Sequence, residues 1–354
     1  MWDFLYTVWF TGLYCIDSIN AFSWFPGSLT FNRIIKGDVY EEKSEDKTNV
    51  TTRQYFKILK EWAIQNMTEK HISHHWWYET LPSIQKDVFY HFTFDKYIFE
   101  KLSELFDRNT YTIEPLFGMN ELYVTSKTRD NESVHSDNVF FTPHIDGPFL
   151  FIPFVSVYRI LLGLNDNKEV ETIFPMNDFS HVLNKGEFLG FDFSREIHYI
   201  NYKQNTEEQI EPRVTLKLHY VMYPKWMSIF GKFIGYLNVE YNRLFRSLFL
   251  HTIKPTSIIE YMNSYFVVWS TNIFYIGELH IGYKNILYLL LIHYYKQSYN
   301  LNNETMRTLV AIPLYYKMLS TYWYHNRINK IESACFTRDI LLYFSLSLLY
   351  MYIV

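Results

Sequence analysis

Apolar residues along this chain change their period twice. Between residues 54 and 106, Tyr55, Ile58, Leu59, Trp62 and Ala63 recur at helical spacing, as do Phe94, Tyr97, Ile98, Leu102, Leu105 and Phe106. That spacing turns one stripe of a helix inward, so two amphipathic helices are expected. From about 110 to 225 the apolar runs shorten to GMNELYVTS, NVFFTPHI, SVYRILLGL, VETIFPM, EFLGFDF, EIHYINY and VTLKLHYVMYP, separated by stretches rich in Asn, Asp, Gly and Pro. Short runs between turn formers predict the strands of a sandwich, barrel or jelly roll. The gaps are too short for the crossover helices of a doubly wound sheet. After Pro224 turn residues thin out, and long aromatic-aliphatic stretches predict a largely helical C-terminal region.

These shifts divide the chain into a hydrophobic segment 1–36, a polar loop 37–53, a domain 54–227 with its β core at about 110–225, and a helical, aromatic-rich region 228–354. The first segment has no Lys or Arg before Arg33, and Asp3 and Asp17 interrupt its apolar run, so it does not fit a signal peptide. In the last region, Tyr261 to Gly277 and Ile340 to Val354 are uncharged over 17 and 15 residues. Both fall short of the ~20 apolar residues that cross a bilayer. Helices lying on a membrane and helices buried against the sheet are both open readings; membrane association is favoured over a soluble cytoplasmic location.

Composition adds limits. With 48% hydrophobic residues in 354, the chain can bury a sizeable core. A net charge of −4 supplies no global basic field, so nucleic acid is not expected as a partner. Cys15 and Cys335 stand too far apart in sequence to indicate a disulfide framework or a thiolate site. Aromatic residues make up 20% of the chain, which matches the usage of an AT-rich genome and also suits a membrane interface. The sequons at Asn49, Asn66, Asn131 and Asn303 arise easily in an Asn-rich chain and do not fix the compartment.

Candidate chemistry gathers in the β region. His144 and Asp146 in NVFFTPHIDGPF are two positions apart, a spacing that puts both side chains on one face of a strand. His198, 54 residues on, can add a second imidazole. Two histidines and a carboxylate on one face of an octahedral ion leave three positions open, the arrangement of non-haem iron(II) oxygenases. A competing pair, His135 and Asp137, lies in the polar stretch DNESVHSDN and lacks a preceding apolar strand. The cluster His71, His74, His75 has no carboxylate or Cys at ligand spacing. In RVTLKLHYVMYP, Arg213, Thr215, Lys217 and His219 alternate with apolar residues, so one strand face is polar. Arg213 can grip a carboxylate through a bidentate pair, with the Thr215 hydroxyl assisting.

The order His144-x-Asp146, His198, Arg213-x-Thr215 resembles the HxD…H…R-x-S/T pattern of the iron(II)/2-oxoglutarate-dependent dioxygenases. That resemblance spans about a third of the chain and names no subfamily. It implies a double-stranded β-helix (jelly-roll) core, which with the N-terminal helices and helical C-terminal region expected from the apolar spacing makes an α+β fold. It also implies iron(II) and 2-oxoglutarate as cofactors, ascorbate as an accessory reductant, and hydroxylation with release of succinate and carbon dioxide. His144, Asp146 and His198 would be the ligands, Arg213 and Thr215 the receptor of the C5 carboxylate, with Tyr158 or Arg159 helping to hold the co-substrate. Arg195, at odd spacing from His198, is expected on the opposite strand face, and His181 and His219 are expected to be structural. Two alternatives stay open: a cupin-like metal enzyme that uses no 2-oxoglutarate, and a non-catalytic membrane-associated structural or binding protein. The substrate is not legible, with a lean toward a hydrophobic or membrane-delivered one.

Overall fold

The computed structural model describes residues 34–39, 47–68, 73–125, 138–147, 155–202 apart from 176 and 178, 212–280, and scattered positions between 290 and 311. The chain forms two compact units, Asn32–Asn272 and a second made of Met1–Phe31 with Ile273–Val354. In the second, the described residues include a short helical run at 303–307 in which Met306 is buried. The run 340–354 lies outside the described residues.

The first unit combines helices with two antiparallel sheets. Its elements in chain order are β1 (Ile35–Asp38), α1 (Lys47–Gln65), β2 (His74–Trp77), α2 (Ser83–Thr93), α3 (Lys96–Leu105), β3 (Tyr111–Pro115), β4 (Glu121–Val124), β5 (Ser156–Gly163), β6 (Val170–Phe174), β7 (Phe179–Val182), β8 (Glu187–Asp192), β9 (Tyr199–Tyr202), β10 (Val214–Pro224) and α4 (Ser228–Ile253), followed by α5 (Ile258–His280), whose residues from Ile273 on belong to the second unit. The larger sheet runs β1-β8-β5-β10-β4-β2, with β3 also pairing with β10, and the smaller runs β7-β6-β9. Between the sheets lies an apolar cluster of Phe174, Leu183, Leu189 and Phe191, in which the rings of Phe174 on β6 and Phe191 on β8 sit 5.3 Å apart.

The helices follow the apolar stripe. In α1 Thr52, Phe56, Leu59 and Ala63 face inward. The second expected helix is two elements, because Phe94 ends α2 and Asp95 caps α3, its Oδ1 accepting from the N–H groups of Tyr97 and Ile98. Ile98 and Leu102 then point to the core, while Phe94 and Tyr97 are exposed.

Three expectations are corrected. The stretch 37–53 is not simply a loop: Gly37 and Asp38 belong to β1, Val39 is buried, and α1 starts at Lys47. A Cβ on Gly37 would lie 2.6 Å from the Phe188 ring, so a side-chain-free residue lets this edge strand close on β8. The run NVFFTPHI is not a strand but a 3-10 turn at Asn138–Phe141, since Pro143 offers no N–H to a ladder and restricts the residue before it. The compact unit also continues past residue 227, because α4 lays Ile234, Leu237 and Val239 against Val221 and Tyr223 of β10.

The outer faces of α4 and α5 are apolar: Ile229, Phe233, Leu244, Ile258, Met262 and Trp269 are exposed. Among the described residues, no helix is long and apolar enough to cross a membrane.

Close backbone packing yields one stability prediction. At Gly163, where β5 ends, a Cβ would lie 2.3 Å from the carbonyl oxygen of Asn184, and a backbone atom cannot swing away as a side chain can. Gly163→Ala is expected to cost about 1–3 kcal/mol, read as a lower urea midpoint at unchanged slope.

Candidate metal centre and anion cleft

The site starts from a two-residue ladder. His144 and His198 form an isolated antiparallel bridge, each backbone N–H donating to the other's carbonyl at 3.0 Å. Residues directly opposite in such a pair project to the same side, and the two imidazoles lie with centroids 4.6 Å apart. Asp146, two residues beyond His144, joins them: its Oδ2 is 3.2 Å from His198 Nε2 and its Oδ1 3.7 Å from His144 Nε2. One ligand atom from each of the three lies within 4.8 Å of the others. Among the described residues this is the cluster of metal-binding type.

The outer ring nitrogens decide what the inner ones offer. His144 Nδ1 is 2.6 Å from the carbonyl of Thr142, and His198 Nδ1 is 3.0 Å from that of Glu196. A carbonyl only accepts, so each Nδ1 carries a hydrogen and it is Nε2 of each ring that is left to face the other two groups. Two ring nitrogens and a carboxylate therefore converge, a donor set that a shared cation would satisfy. Burial, reinforced by the neighbouring His198, pushes the His144 pKa down to about 4. Burial alone would raise Asp146, but the Arg159 guanidinium and His198 outweigh it and hold the carboxyl well below the usual range. Phe191, 4.4 Å from the His198 ring between centroids, supplies an apolar wall.

The triad opens into a cleft of about 490 Å³, part of it solvent, lined also by Tyr123, Phe140, Leu161, Thr172, Ile200, Arg159 and the polar face of β10. Every residue of β10 is buried, so its polar side chains need partners. Lys217 pairs with Glu121 of β4 at 3.3 Å and lies 4.2 Å over the Tyr123 ring. His75 of β2 also bonds to Glu121, and burial, which would raise this carboxyl, is outweighed by Lys217 and His75, so it stays well below its ordinary value.

Arg213 differs. It is buried, its Nε donates to Thr125 Oγ1 at 3.2 Å, and no carboxylate among the described residues pairs with it. Two residues on, the Thr215 hydroxyl is buried with no hydrogen-bond partner. Asp146 offsets Arg159 and Glu121 offsets Lys217, which leaves Arg213 as surplus positive charge beside an unused hydroxyl.

The structure thus brings His144, Asp146, His198, Arg213 and Thr215 to one cleft. Tyr158 is elsewhere: on β5 it faces away from the cleft, buried edge-on against Phe106 at 5.3 Å, and its neighbour Arg159 points inward instead. Arg195 is buried in a pair with Asp192 at 3.1 Å, outside the cleft lining. His181 pairs with Glu187 at 3.2 Å, and His219 accepts from Arg159. His71, His135 and Asp137 lie outside the described residues. The sequence reading missed Glu121 and its pairing with Lys217; a carboxylate inside the apolar run ELYV and a lysine inside VTLKLHY were the available signal.

No protein-family model matches the sequence, and no curated protein matches it. Solved structures are similar in part. The viral collagen prolyl hydroxylase vCPH from Paramecium Bursaria Chlorella virus-1, solved as its 2OG complex, is 13% identical over 55% of this chain and 98% of its own, with a TM-score of 0.35. A truncated form of that enzyme is 14% identical over 56% and 93%, with a TM-score of 0.34. A prolyl-4-hydroxylase from Pseudomonas putida is 12% identical over 54% and 94%, with a TM-score of 0.32. At these scores the likeness carries no functional weight, and the chemistry of the site rests on its own side chains.

Proposed function

We propose that this chain is an iron(II)- and 2-oxoglutarate-dependent oxygenase that hydroxylates a substrate with release of succinate and carbon dioxide. One observation carries the reading: two Nδ1-committed histidines and a carboxylate converge in the same cleft as a buried arginine without a carboxylate partner. The sheet orders β8-β5-β10-β4 and β7-β6-β9, both antiparallel, support a jelly-roll core.

The donor set fits the groups it would hold. His144 Nε2, His198 Nε2 and Asp146 would ligate iron(II), and Arg213 with Thr215 would bind the distal carboxylate of 2-oxoglutarate. When bound, iron(II) and 2-oxoglutarate supply the oxidising chemistry that breaks an unactivated C–H bond. The chain's own residues do the rest. The carbonyls of Thr142 and Glu196 fix which nitrogen each imidazole presents. Arg213 selects a ligand with a far carboxylate, and Phe191, Leu161 and Ile200 keep that wall of the cleft dry.

Purified protein supplied with iron(II), ascorbate and labelled 2-oxoglutarate is expected to release labelled carbon dioxide slowly without added substrate, and His144→Ala is expected to abolish that release. A protein that binds neither iron(II) nor 2-oxoglutarate would sink the reading. A protein that binds metal but is indifferent to 2-oxoglutarate would leave Arg213 without a task and favour a cupin-like chemistry.

We further propose that the protein works at a membrane surface, a reading supported by the exposed apolar side chains of α4 and α5. Flotation with phospholipid vesicles should carry the wild-type chain, and Ile229→Asp with Phe233→Asp should release it.

A further inference from the structure

Arg159 is bound on three sides. It stands in the middle of β5, opposite His219 of β10 and Phe191 of β8, and its side chain is 12% exposed. Its Nη1 donates to Asp146 Oδ2 at 2.6 Å, its Nε donates to His219 Nε2 at 3.0 Å, and its guanidinium lies 4.6 Å from the centroid of the Phe193 ring. An arginine Nε always carries its hydrogen, so His219 Nε2 must accept and its ring is neutral. His219 is itself immobile: it is fully buried, its backbone N–H donates to Asn120 Oδ1 at 2.8 Å, and its ring meets Phe193 edge-on at 5.4 Å.

We propose that Arg159 is a positioning residue of the metal centre, holding Asp146 Oδ2 so that Oδ1 is presented to the ion. The proposal rests on the metal-binding reading of His144, Asp146 and His198. Among the described residues, the hydrogen bonds and ion pairs of Asp146 go to the two histidines and Arg159, so the guanidinium is the donor that sets the angle of this carboxylate. Two effects oppose each other. A cation beside the site repels a divalent ion, whereas a partner that fixes a ligand typically raises metal affinity about 10- to 100-fold. Positioning wins, because the guanidinium grips Oδ2 and leaves Oδ1 unbonded on the side of His144 Nε2.

The test is calorimetric titration of chelator-treated protein with cobalt(II), with thermal melts to confirm folding. Arg159→Met is expected to lose about 10- to 100-fold in affinity, although it removes a repelling charge, and to alter the cobalt(II) visible spectrum. Arg159→Lys, which can still donate to Oδ2, is expected to recover part of the loss. His219→Leu removes the acceptor that steers Nε and touches no ligand, and should cost about five-fold; it keeps the question open to test if Arg159→Met does not fold. Affinity in Arg159→Met equal to or tighter than wild type, or unchanged affinity in His219→Leu, overturns the positioning role. Failure of the wild-type chain to bind cobalt(II) would instead overturn the metal-centre reading beneath it.

Discussion

Arg213→Ala should raise the 2-oxoglutarate concentration needed for half-maximal decarboxylation by at least about thirty-fold while leaving iron(II) binding in place. The guanidinium is buried, and its bond among the described residues goes to a neutral hydroxyl, Thr125 Oγ1. Burial lowers its pKa, with Tyr123 and Tyr202 opposing and no carboxylate among the described residues contributing. Such a charge is poorly compensated until an anion arrives, and truncating one member of a buried charge pair costs about 2–5 kcal/mol. Each ~1.4 kcal/mol is tenfold in affinity, so that range spans roughly thirty- to several-thousand-fold. Thr215→Val removes one hydroxyl and should cost far less, about 1 kcal/mol or five-fold. Arg213→Lys keeps the charge but loses the planar fork, and should fall between the two. Initial rates against 2-oxoglutarate, beside iron(II) titrations of the same variants, check the pattern. If Arg213→Ala binds 2-oxoglutarate within three-fold of wild type, the anion receptor is elsewhere; Lys217, which also lines the cleft, is then the residue to examine.

The triad and the polar face of β10 could be read from the sequence because both depend on short-range spacing. His144 and Asp146 flank Ile145, and Arg213, Thr215, Lys217 and His219 recur at the two-residue period of a strand. What escaped depends on register and on partners distant in the chain. Tyr158 and Arg159 are adjacent, and which one faces the cleft is set by β5 pairing Arg159 with His219 and Tyr158 with Tyr220. A one-residue slip would exchange them. In the same way HHWW is strand β2 only because β4 offers it a ladder, with His75 opposite Tyr123. Glu121 looks like an error in an apolar strand until Lys217, 96 residues later, and His75, 46 residues earlier, come to meet it. The opposite failure occurred at NVFFTPHI, where apolar content suggested a strand and Pro143 had already denied it one.

The metal-free protein should lose about 3 kcal/mol of stability between pH 6.5 and 4 through His144 alone. In the unfolded chain this imidazole titrates near its ordinary 6.5, whereas burial, with His198 beside it, holds it at about 4 when folded. Between those values the unfolded state binds a proton that the native state refuses, so stability is complete above 6.5 and falls as the pH drops. Each pH unit of that gap is worth about 1.4 kcal/mol. His219 acts in the same direction, since burial and then Arg159 hold it well below 6.5. Asp146 and Glu121 follow at lower pH. Burial opposes ionisation in each, but Arg159 for the first and Lys217 with His75 for the second hold their pKa values down. Their contribution is present above the ordinary carboxylate range and is lost as the pH falls below it. Urea midpoints of chelator-treated protein at pH 7, 6, 5 and 4.5 should trace the decline, and His144→Gln should flatten its upper part. A midpoint unchanged from pH 7 to 4.5 would mean that His144 accepts a proton freely in the folded state. Burial would then not hold its pKa down, and its role as a ligand would rest on the convergence of its Nε2 with Asp146 and His198.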